Sequence, residues 1–162
     1  MAFLHIQLVL HFNFKSGSLL NQVNEGEKKM PYLRVRIASH KNSVSSQEVA
    51  NTLTNLAVKV LGKAQEAVAV DVHFSDPADW FIAGKSLTSR KQTSFFVEIK
   101  ITEATNNRDE KAEFVKETFA EMARLFPDVA ETSYVVLQDV ASEAWGYGGK
   151  TQEFRYISDK VK

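Results

Sequence analysis

Few residue types in this chain can do chemistry. Among its 162 residues there is no cysteine, so thiolate nucleophiles, Cys-based zinc sites and disulfides are all excluded. The four histidines have no metal-ligand spacing, and His5 and His11 stand in an atypical first segment, so no metal and no cofactor are expected. What stands out is a Met30-Pro31 junction where a regular pattern begins. Two aromatic, glycine-containing turns also stand out, Trp80-Phe81-Ile82-Ala83-Gly84-Lys85 and Trp145-Gly146-Tyr147-Gly148-Gly149-Lys150. Their tryptophans lie 65 residues apart.

The elements that carry these residues repeat with them. Tyr32 to Ile37 alternates apolar Leu33, Val35 and Ile37 with Tyr32, Arg34 and Arg36, the period-2 sign of a half-buried strand. Ser45-Ser46-Gln47-Glu48 offers helix caps, and Val49, Leu53, Leu56 and Val60 then recur at helical spacing until Gly62. Ala67 to Phe74 alternates again. The second round has a strand with Phe95, Val97, Ile99 and Ile101 inward, then a helix from Arg108 with Val115, Phe119, Met122 and Phe126 on one face, ended by Pro127. A strand over Tyr134 to Asp139 completes it.

Two β-α-β units with right-handed crossovers predict an α/β (α+β) domain: a four-stranded mixed sheet with two helices on one face. Tyr32, Arg34, Arg36, Asp71, His73, Phe96, Glu98 and Lys100 are left on the uncovered face, which is expected to associate or to carry cross-strand ion pairs. A ferredoxin-like split β-α-β sheet, serving a small-ligand binder, is the alternative for the same element order.

Residues 1–30 read as a leader. They hold no apolar run near the ~20 residues of a bilayer span, and no positive n-region with a cleavage site. Glu25-Gly26-Glu27-Lys28-Lys29 back-translates to a purine-rich tract that can hold a ribosome-binding sequence before the Met30 codon, so an over-extended gene start is expected. The domain is then 31–162, with repeats at 31–90 and 91–157. Twenty basic and twenty acidic residues cancel, which argues against a nucleic-acid partner, and no membrane role is expected. The cytoplasm is the expected compartment.

Met30-Pro31 opening a β-α-β unit that closes in an aromatic and glycine turn resembles the tautomerase superfamily, the family of 4-oxalocrotonate tautomerase, 5-carboxymethyl-2-hydroxymuconate isomerase and macrophage migration inhibitory factor. The likeness runs from Pro31 to Ile157, and Pro31 to Gly84 can be laid on a short family subunit without a gap. It implies a homotrimer of two-unit chains and proton transfer on a small keto or enol acid by an amino-terminal proline, Pro31. It also implies substrate contacts from Lys41, at the place of a carboxylate-binding arginine, and from Lys63, at the place of a pocket lysine. Trp80 would close the pocket, and Tyr134 matches a tyrosine supplied by the adjacent subunit. Ala69 departs from the pattern, since a second arginine is common there. The alternative on the same scaffold is a non-catalytic binding or interaction protein. Lys41 and Lys63 read equally as loop or helix-end charges, and Trp80 as a core or interface residue.

Overall fold

The computed structural model describes residues 30–39 and 44–161. Lys41 and the leader up to Lys29 lie outside the described residues. The first unit comprises β1 (Tyr32–Ala38), α1 (Ser46–Leu61) and β2 (Ala69–Ser75), followed by a hairpin of β3 (Phe81–Ile82) and β4 (Lys85–Ser86) and a short helix α2 (Leu87–Arg90). The second repeats the order with β5 (Ser94–Thr102), α3 (Arg108–Leu125), β6 (Tyr134–Val140), β7 (Gly146–Tyr147), β8 (Lys150–Thr151) and α4 (Gln152–Lys160).

Each long helix starts and stops for local reasons. The Ser45 hydroxyl accepts from Glu48 N at 3.2 Å, while the Glu48 carboxylate accepts from Ser45 N at 3.0 Å. That backbone N–H, with the hydroxyl beside it, holds the Glu48 carboxyl below the usual carboxylate value. α1 ends where Gly62 turns left-handed. Asn107 and Glu110 form the matching reciprocal cap on α3. In both hairpins the two central residues have positive φ, as tight turns between twisted strands require. Ala83 holds that conformation at φ 51° in the first, and glycines do so in the second.

The sheet order is β2-β1-β5-β6. β1 pairs in parallel with β2 and β5 with β6, while the two units meet through antiparallel β1 and β5, centred on Val35 opposite Val97. Because the strands of each unit are neighbours, the split ferredoxin-like arrangement is excluded. Leu33, Val35, Ile37, Phe95, Val97, Ile99 and Ile101 are fully buried beneath Val49 and Leu53 of α1 and Phe114 and Met122 of α3. The other face carries Arg34 opposite Asp71 and Glu98, and Arg36 opposite His73 and Phe96. Arg34 and Asp71 sit 3.4 Å apart but half exposed, a pair of small energetic weight.

Two expectations are corrected, and two helices not read from the sequence are added. β2 begins at Ala69, because Gln65–Ala67 close a 3-10 turn first. On α3 the buried row is Phe114, Thr118 and Met122, whereas Val115 is 38% exposed. Arg90 belongs to α2 and Lys91 to its left-handed cap, and the chain ends in a further helix, α4, whose few apolar residues conceal it. No helix of the described residues is long and apolar enough to cross a membrane.

Thr118 is fully buried and its hydroxyl meets no hydrogen-bond partner. Replacing Thr118 by Val removes an unmet polar group at constant shape, so urea unfolding should show a gain of about 1 kcal/mol.

Candidate active site

Pro31 is buried at the mouth of β1, where its carbonyl accepts from Ala69 N at 3.4 Å. That hydrogen bond puts Ala69, the position lacking an arginine, beside the proline. The end of α1 and the loop after β5 come to this same end of the sheet, because Tyr32 pairs with both Ala69 and Lys100.

Lys63 lies between them at 3% exposure. Its Nζ donates to Asn106 Oδ1 at 2.6 Å and to Thr105 Oγ1 at 3.0 Å. Asn106 in turn donates to Leu61 O and to Glu110 Oε2, both at 3.0 Å. The lysine therefore ties the end of α1 to the cap of α3, and brings a buried cation to the proline end of the sheet.

Trp80 and Tyr134 lie at the other end. Arg36, near the far end of β1, has its guanidinium 5.4 Å from the Trp80 ring and 6.0 Å from the Phe96 ring. Phe96 is paired across the sheet with Tyr134, and their rings are 6.4 Å apart and tilted. Tyr134 is 56% exposed on the uncovered face. Five residues of strand at ~3.3 Å each separate Pro31 from Arg36, so roughly 17 Å lies between the two groups within one chain. The structure thus brings Pro31 and Lys63 to one end, and Trp80 and Tyr134 to the opposite end. Arg36 and Phe96, which join the latter pair, were legible only as members of a polar sheet face.

In the second unit Thr93 stands immediately before β5, as Pro31 stands before β1. Its buried hydroxyl is 3.1 Å from Ser39 Oγ and 3.3 Å from Asp128 Oδ2.

Neither a family model nor a curated relative matches the sequence. Solved structures do match. The Q0 fused 4-OT wild-type symmetric trimer aligns with a TM-score of 0.65 at 16% identity, covering 76% of this chain and 97% of its own. The chain shares the fold of the fused 4-OT structures. Pt0534 inactivated by 2-oxo-3-pentynoate aligns at 0.64 and 13% identity, with 75% and 96% covered. The macrophage migration inhibitory factor-like protein of Entamoeba histolytica aligns at 0.61 and 17% identity, with 75% and 98% covered. Nearly the whole length of each of these structures is covered by the match.

Proposed function

We propose that this chain is a tautomerase-type isomerase that begins at Pro31, assembles as a homotrimer in the cytoplasm and moves a proton on a small unsaturated keto or enol acid. The observation that carries this reading is a buried proline immediately before β1 in the fused 4-OT fold, with a buried lysine at the same end.

A free Pro31 nitrogen is a secondary amine on a rigid ring. Burial, with the Lys63 cation at the same end of the sheet, disfavours its ammonium form and lowers its pKa toward the working range. The amine takes a proton from the carbon next to the substrate carbonyl: the C–H bond breaks, an N–H bond forms, and the electron pair moves onto the carbonyl oxygen as an enolate. Returning that proton to oxygen gives the enol, and the reverse sequence gives the ketone. Joined to Met30 through a peptide bond, the same nitrogen has its lone pair delocalised and cannot do this.

The substrate carboxylate needs a cation, and Ala69 offers none. Arg36, held against Trp80 and Phe96, supplies a planar two-pronged donor, with Lys41 as a further charge. Trp80 covers the substrate and Tyr134 donates to its oxygen. These groups stand at the opposite end of the sheet from Pro31, so each site takes its proline from one copy and its Arg36, Trp80 and Tyr134 from the next. The open sheet face, with Val136 also exposed, and the unpaired backbone of edge strands β2 and β6 suit that assembly, as does the trimeric state of the fused 4-OT structure.

Complementation tests the composite site. Pro31→Ala and Trp80→Ala chains, each inactive alone, regain activity when co-assembled, since random mixing leaves roughly a quarter of composite sites with both residues intact. No recovery in a mixed trimer of confirmed composition places both residues in one chain's site and overturns this arrangement.

A further inference from the structure

The duplication provides an internal comparison for one cavity. Leu87 N donates to Trp80 O at 2.9 Å, and Gln152 N donates to Trp145 O at 3.0 Å, so Leu87 and Gln152 hold matching places at the head of α2 and α4. Leu87 is fully buried, as an apolar side chain in that place should be. Gln152 is only 8% exposed, yet its Nε2 meets no acceptor among the described residues. A buried donor left unmet is destabilising, and native structures keep few of them. The matching leucine shows that the position itself does not demand a polar group.

Gln152 lines a cavity of about 370 Å³ with Thr102, Glu103, Thr105, Ser142 and Tyr156. The corresponding cavity of the first unit is about 250 Å³ and has Pro77 and Leu87 where the second has Ser142 and Gln152. The larger cavity falls within the size of small-molecule sites. Its wall combines an amide, three hydroxyl-bearing side chains and the ring of Tyr156. Glu103 on the wall opposes an anion, while the Lys63 ammonium, 3.0 Å from Thr105 Oγ1 on the flank, opposes a cation.

We propose that this cavity is a binding site for a small uncharged polyhydroxylated molecule of the sugar or polyol class, whose oxygen accepts from Gln152 Nε2. Its hydroxyls donate to Glu103 and exchange hydrogen bonds with Ser142, and its carbon face lies on Tyr156. Pro31 is not among the lining residues, and the site does not depend on the proposed activity.

The probe is D-xylose, titrated into the ¹⁵N-labelled chain while the Gln152 side-chain amide is followed by NMR, with acetate and methylammonium as charged comparators. A saturable shift with xylose alone is expected. Gln152→Leu, which lacks that side-chain amide and is followed through the backbone amides of Ser142 and Thr105, should weaken binding about tenfold with the rest of the spectrum retained, the loss expected for one hydrogen bond to a buried donor. Ser142→Ala, which leaves the helix head untouched, should weaken it severalfold. The proposal is overturned by an unsaturable drift with xylose, by saturation with acetate or methylammonium, or by equal binding to both variants. Gln152 signals that respond to protein concentration and not to xylose also overturn it, since a second copy then covers the cavity.

Discussion

A chain that begins at Pro31 is expected to tautomerise phenylenolpyruvate, and Pro31→Ala in that chain is expected to lower kcat/KM by about 10²–10⁴, the usual contribution of a positioned general base. The full-length chain, with Pro31 locked in a tertiary amide, should be inert. A chemical readout separates loss of the base from loss of fold. 2-Oxo-3-pentynoate carries an alkyne conjugated to a ketone, and a neutral amine adds to its β-carbon while the amine proton ends on the α-carbon. The trimmed chain should therefore gain the mass of one reagent molecule on the Pro31 peptide, and the full-length chain none there. Equal turnover by the trimmed chain and its Pro31→Ala variant would falsify the mechanism. The intact mass of the chain from its natural host decides the remaining premise, because a mass that includes the leader leaves Pro31 without a basic nitrogen.

The second large effect concerns the core. Phe114→Ala should cost about 3–5 kcal/mol, because it empties a fully buried ring site between α3 and the sheet. Val115→Ala, one residue along, should cost under about 1 kcal/mol, since Val115 is 38% exposed and its removal opens no enclosed site. Denaturant titrations of the two variants with unchanged slopes measure the contrast. A larger loss at Val115 would mean that α3 is rotated by about 100°, one residue of helix, from the orientation described here.

The error on α3 shows where a sequence pattern misleads. Phe114, Thr118 and Met122 form an i, i+4, i+8 row, but a threonine in its middle breaks the apolar signal, while Val115, Phe119, Met122 and Phe126 form a cleaner stripe, of which Met122 and Phe126 are buried and Val115 alone stands at the exposed margin. Phe119 still packs, with its ring 5.8 Å from that of Phe95, so the two stripes share one broad face. α4 was missed for a related reason. Its apolar residues, Phe154, Tyr156 and Ile157, remain exposed, so no buried periodicity marks it. The candidate site was legible in parts only. Pro31, Lys63, Trp80 and Tyr134 each stood out beside a strand, helix end or turn, but nothing in their spacing told which of them share an end of the sheet.

Alternation, caps and stop signals act between residues a few positions apart, which is why β1, α1, β5, the Ser45 cap and the Gly62 stop follow from the chain's local chemistry. Parallel pairing within each unit was expected from its β-α-β order, but the same order also allowed a split sheet, and the arrangement β2-β1-β5-β6 was decided by the tertiary structure. The rest came from pairing between β1 and β5, whose facing residues lie 56 to 68 positions apart. Setting β1 antiparallel to β5 carries Phe96 and Tyr134 to Arg36 and brings Asn106 to Lys63. It is this long-range pairing, whose energy no local pattern encodes, that gathers Lys63 with Asn106 at one end of the sheet and Arg36 with Phe96 at the other.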